Sequence, residues 1–276
     1  MTAPTSATPT NPARPLTPAR AGRHPVVRRL VLGLGGILTV IVIGLAAVSG
    51  ASLLVRGTED ATRTLEGRVE RVVVRVDGSV TVEGGGPTDR ADVVRRSNFG
   101  FARPEVTQSL VDGLLTVRVR CNGWSVTCHS RVTVTVPSSA AVDVGAGRIV
   151  VSDVEGRVDV ESDGGSVELV DLDGPIDARV GGGSIIAERL GSDDVRTTAG
   201  AGAIELSFRD APEVVEADAG AGHVEVVVPS GSGSYLVDAR SGAGGTDVAV
   251  ATDPTSPRRI RAHAGAGGVE IRYGPA

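Results

Sequence analysis

From Val142 onward the chain keeps returning to one local pattern, a glycine pair followed by an aliphatic residue. The second glycine of each copy falls at Gly147, Gly165, Gly183, Gly202, Gly222, Gly244 and Gly267, so the spacing runs 18, 18, 19, 20, 22 and 23. Self-similarity near 20 residues marks a stacked array, in which each unit buries its apolar face only against its neighbours. Within a unit the period is two: Ile149 and Val151, Val167 and Leu169, and Ile204 with Leu206 each point to one side. Two short strands per unit, bonded to the next unit at about 4.8 Å, give an all-β expectation: a β-solenoid of about seven short coils. Glycine suits the corners, because a residue without Cβ bends sharply and lets backbones approach.

Glycine pairs also occur in nucleotide-binding loops, but those need a helix directly after the motif, and no helical period follows any copy here. The chain holds no lysine, so its 28 basic residues are all arginine. That excludes a phosphate loop built on lysine and any Schiff-base enzyme.

Residues 67–141 precede the repeats and read as irregular β-hairpins that cap them. Asp77-Gly78-Ser79 between two valine runs is one hairpin signal. A second is the pair Leu114–Arg120 and Arg131–Val136, with Cys121 and Cys128 at the neck or tip between them. These are the only cysteines, and a disulfide is expected if the domain lies in an oxidising compartment. Half a metal site and a redox switch are the alternatives.

Compartment is read from the other end of the chain. Leu30–Val55 is 26 residues without a charge, long enough as a helix to cross a bilayer. Arg14, Arg20, Arg23, Arg28 and Arg29 precede it and residues 1–58 contain no acid, so the arginine bias keeps the N-terminus cytoplasmic. The expected order is a disordered basic tail (1–29), a transmembrane helix (30–55), a linker (56–66) and an extracytoplasmic β domain (67–276). A cleaved signal peptide is the rival reading, with small residues at Ala47-Val48-Ser49. Its apolar core of about 7–15 residues is usually shorter than this one.

One outward family of positions is acidic. Glu168, Glu205, Glu225 and Glu270 each follow the first inward residue of a unit. Such a row could hold a cation or a sugar, and carboxylates about 5 Å apart would suit retaining glycoside hydrolysis. A solvated face that discourages sideways stacking explains it equally. No His-Glu-x-x-His spacing and no Gly-x-Ser-x-Gly elbow accompany the row. No catalytic, metal or cofactor residues are therefore assigned.

Taken together, Asp112-Gly113-Leu114-Leu115-Thr116-Val117, the Cys-Trp-Cys loop, Val132 through Pro137, the Gly-x-Gly-x-Ile/Val units and Val226-Val227-Val228-Pro229 resemble the putative adhesin domain family of bacterial envelope proteins. The resemblance implies a glycine-rich β-solenoid of no agreed activity, often behind a membrane anchor. The expected function is a non-enzymatic, membrane-anchored cell-envelope module, with the bilayer met through 30–55 and a wall polymer or envelope protein as partner. No nucleic acid is expected. An envelope-stress sensor acting with a membrane partner is the alternative, and a polysaccharide-active β-helix enzyme the more distant one.

Overall fold

The computed structural model describes residues 57–100, 103–121 and 128–275. The chain divides into two units, Met1–Gly50 and Ala51–Ala276, and everything described belongs to the second. The expected basic tail (1–29) and membrane helix (30–55) lie outside the described residues. Among the described residues, no helix is long and apolar enough to cross a membrane.

The described chain is all-β, with seventeen strands. In order they are β1 (Gly57–Glu66), β2 (Arg71–Glu83), β3 (Arg90–Phe99), β4 (Glu105–Val111), β5 (Leu114–Arg120), β6 (His129–Thr135), β7 (Ala141–Val154), β8 (Val158–Leu172) and β9 (Ile176–Leu190). Then follow β10 (Asp194–Ala201), β11 (Ile204–Phe208), β12 (Val214–Ala221), β13 (Val224–Val228), β14 (Leu236–Ser241), β15 (Thr246–Ala249), β16 (Arg259–Ala266) and β17 (Val269–Tyr273).

Their pairing resolves into two ladders. The first runs β4, β5, the first half of β2, the first halves of β7, β8 and β9, then β10, β12, β16 and β14. The second runs β1, β3, β6, the second halves of β2, β7, β8 and β9, then β11, β13, β17 and β15. Only β1–β3, β3–β6 and β4–β5 are antiparallel. Every other pair is parallel.

Alternation explains why these residues make strands. In β2, Val72, Val74 and Val76 are buried, as are Val80 and Val82, while Arg71 and Glu83 face solvent. Parallel register then stacks like on like. One column reads Leu115, Val72, Val142, Val158, Ile176, Val195, Val215, Ile260 and Val237 across successive strands. Both ladders feed one hydrophobic core of Val, Ile, Leu and Ala. Each fully buried Val, Ile or Leu side chain contributes about 1.5–3 kcal/mol relative to exposure.

The corners between ladders are where glycine is needed. Gly202 has φ +135°, and a Cβ there would run into the carbonyl oxygen of Gly183. Gly222 stands against Gly202 in the same way. A side chain at either position would push the strands apart.

Three expectations need correction. Residues 57–66, read as part of a linker, form β1 and pair along their whole length with β3. Their polar composition hid a strand held by cross-strand partners rather than by an apolar face. Asp77-Gly78-Ser79 is not a hairpin turn, because β2 passes straight from one ladder to the other through Gly78. Nor do β5 and β6 form a hairpin around the cysteines: β5 pairs with the first half of β2 and β6 with the second. Alternation looks the same whether a chain turns back or turns a corner, and the deciding partner is distant in sequence. The one tight hairpin in this region is β4–β5, whose turn residues Asp112 and Gly113 have φ of 50° and 77°.

Candidate functional site

Two outward-facing features come from this register. The first is the expected acidic row. Glu205 pairs with Glu225, Glu225 with Glu270, and Glu270 with Asp247, so four carboxylates follow one another down the second ladder. Glu168 belongs to the same column but is separated from Glu205 by Ile186. The alternating pattern located Glu205, Glu225 and Glu270; Asp247 stands at the same offset from its glycine pair but was missed because Thr246, not an aliphatic residue, precedes it. Arg272 lies in the neighbouring column, donates to Glu225 and sits 3.1 Å from Glu270. A guanidinium thus already occupies the space between two of the carboxylates. The row is a partly neutralised edge beside a shallow depression that Ser207 and Pro275 also border.

The second feature was not anticipated. A cleft of about 820 Å³ opens on the first ladder, where β7 turns its corner. Its floor is Gly145-Ala146-Gly147, which leaves a gap in the outward rows. Arg75 on β2 lies across Gly145, held by a 2.8 Å ion pair to Asp143 and a bond to the Val74 carbonyl. Arg118 stands beside Arg75 in register on β5, and Arg120 follows it on the same face. His129 completes that wall next to Cys128. Across the floor, Glu161 sits beside Gly145 in register on β8, with Asp163 after it.

The disulfide fixes one end of this cleft. Cys121 and Cys128 are joined, with Cα atoms 5.8 Å apart, and the Cys121 amide donates to Asp77 at 2.8 Å. Closing a loop this short contributes about 2–3 kcal/mol by the chain-entropy estimate. The expected pairing is therefore present, although it braces a corner and not a hairpin tip.

Several other charged groups are tied up in pairs. Arg189 grips Asp171 and holds its carboxyl below the usual range, chiefly by hydrogen bonding to it. Arg209 bridges Asp173 and Asp210, and hydrogen bonding to both raises its own pKa. His263 lies 3.3 Å from Asp218 and 3.7 Å from Asp238 on neighbouring strands. His223 is half-buried at a corner beside Gly268. Among the described residues, no group of three or more His, Cys, Asp or Glu side chains could hold a metal ion.

The chain has likenesses among solved structures. It is similar to solved structures of putative adhesins. One, a putative adhesin from Parabacteroides distasonis ATCC 8503, is 12% identical with a TM-score of 0.42, covering 77% of this chain and 97% of that one. A putative cell adhesion protein from Clostridium sporogenes ATCC 15579 is 11% identical with a TM-score of 0.35, covering 79% and 100%. A putative lipid binding protein from Parabacteroides distasonis ATCC 8503 is 10% identical with a TM-score of 0.40, covering 79% and 97%. No family model matches the sequence, and no curated protein matches it.

Proposed function

We propose that this chain is a non-enzymatic, extracytoplasmic interaction module, wound as a β-solenoid and anchored in the cell membrane by residues 30–55. The observation that carries this reading is the unbroken parallel register. Nine successive rungs hold their outward side chains in fixed columns, and such a surface is preorganised for a partner. Ordering costs on binding are small when the presenting backbone is already rigid. The joined Cys121–Cys128 pair supports an oxidising location, and the uncharged run behind five arginines supports a cytoplasmic N-terminus. A wall polymer or an envelope protein is the expected partner class.

Exposed Ser230, in the turn after β13, offers a test. A Ser230→Cys variant should react with a membrane-impermeant maleimide on intact cells, and the protein should stay in the membrane fraction after carbonate washing. Labelling only after permeabilisation, or release by carbonate, would refute the topology. Crosslinking from the same intact membranes should then capture a wall polymer or an envelope protein on the β domain.

A further inference from the structure

The cleft over Gly145–Gly147 carries opposite charges that do not meet. Arg118 and Arg120 are exposed and make no ion pair among the described residues. The residues outside the description contain no Asp or Glu, so no acidic side chain elsewhere in the chain can satisfy them. On the facing wall, Glu161 and Asp163 are likewise exposed and make no ion pair among the described residues. Several other arginines pair with an acid two residues away, as Arg157 does with Asp159, Arg179 with Asp177 and Arg196 with Asp194. Arg118 and Glu161 are three strands apart, about 14 Å at the backbone, with Arg75 and Gly145 between them in register.

We propose that this cleft binds a zwitterionic group, a phosphate received by Arg118 and Arg120 and joined by a short linker to an ammonium received by Glu161 and Asp163. The proposal rests on reading the chain as an interaction module and names the ligand chemistry of one site on it. Two guanidinium forks on one wall, with His129 and Arg75 beside them, supply more donors than a carboxylate can use and suit the three oxygens of a phosphate. The acidic wall then sets specificity. It repels a bare anion approaching from that side and rewards one that carries its own cation. The Arg75 side chain lies over Gly145, so the linker passes beside that guanidinium, above Gly147. A lipid headgroup and a phosphate-bearing polymer share this chemistry.

The test uses the full chain in phosphatidylglycerol nanodiscs, titrated calorimetrically with O-phosphoethanolamine, inorganic phosphate and ethanolamine. O-phosphoethanolamine should bind at least about tenfold more tightly than either half, a gain of about 1.4 kcal/mol. Arg118→Gln with Arg120→Gln should abolish binding. Glu161→Gln with Asp163→Asn should bring O-phosphoethanolamine down to the affinity of phosphate while leaving phosphate binding in place. Equal affinity for phosphate and O-phosphoethanolamine, binding unaffected by the acidic-wall pair, or no binding at millimolar ligand would each overturn the proposal. Repeating the titration in phosphatidylethanolamine discs separates the sources: weakened apparent affinity assigns a lipid headgroup, and unchanged affinity a polymer or soluble group. Maleimide labelling at position 230 reports on topology independently, so failure of the cleft and failure of the anchored-module reading are distinguishable.

Discussion

Arg95 carries a charge where the chain can least tolerate one unpaired. Its side chain is 7% exposed, bonded to Glu59 at 2.6 Å and to Ser97 at 3.0 Å, and Ser97 in turn meets Ser130. One position along the same strands, Arg96 and Asp60 make an ion pair of similar length on the exposed face. The two pairs should behave differently. Glu59→Ala leaves a guanidinium buried without its counter-charge and should cost about 2 kcal/mol, whereas Asp60→Ala should change stability by less than about 0.5 kcal/mol. Urea unfolding of both variants checks this, and equal losses would show that burial is not the deciding factor. Asp171 gives the pH counterpart. Hydrogen bonding from Arg189 holds its folded pKa below the ordinary 3.8, so the pair stabilises the fold above that value and the contribution fades as pH falls through the folded pKa. Arg189→Ala should return the Asp171 carboxyl to the ordinary range by NMR titration and make stability less sensitive to acid below about pH 4.

Glycine columns set the geometry at the scale of the single strand and its corner. Two glycines of neighbouring repeats make opposite predictions. Gly202 has a positive φ and a Cβ there would strike the Gly183 backbone, so Gly202→Ala should cost about 3 kcal/mol through strain and forced strand separation. Gly182 has open space, and the same register position in the next strands is Ala201, Ala221 and Ala266. Gly182→Ala should be neutral or slightly stabilising, because it removes freedom only from the unfolded chain. Thermal unfolding of the two variants separates a corner glycine from one that the pattern merely tolerates. Much of this was legible beforehand. Alternation identified inward residues of β7, β8 and β11 and put Glu205 and Glu225 in one outward column, whereas the order Glu225, Glu270, Asp247 follows only from the register. What could not be read was the direction of the chain after each strand. Val72–Val76 and Val80–Val82 alternate identically in a hairpin and across a corner, and β1 has no buried face strong enough to announce itself. The cleft stayed hidden for the same reason. Arg118 and Glu161 are 43 positions apart, and only the register of β5, β2, β7 and β8 places them on one opening.

Across the whole described unit, sequence order and spatial order part company at both ends. The strand β2 lies between β5–β6 and β7, although β5 and β6 come later in the chain. At the other end, β14 and β15 lie outside β16 and β17, so the last strands of the chain are inserted beneath earlier ones. The longer spacing of the last two glycine pairs belongs to the connections that step over this position, 229–235 and 250–258. Insertion ties the end of the chain into the interior of the ladder but leaves β14 and β15 paired on one side only among the described residues. An edge of this kind invites another strand unless charge or irregularity discourages it. Here β14 carries Asp238 and Arg240, and β15 carries Asp247 beside exposed Val248. Docking a second strand would bury these charges at a cost that outweighs the backbone bonds gained. Arg240→Val combined with Asp247→Val should therefore leave the monomer folded by circular dichroism while driving concentration-dependent self-association in light scattering. A variant that stays as dispersed as the parent would show that the edge is guarded by its shape and not by these two side chains.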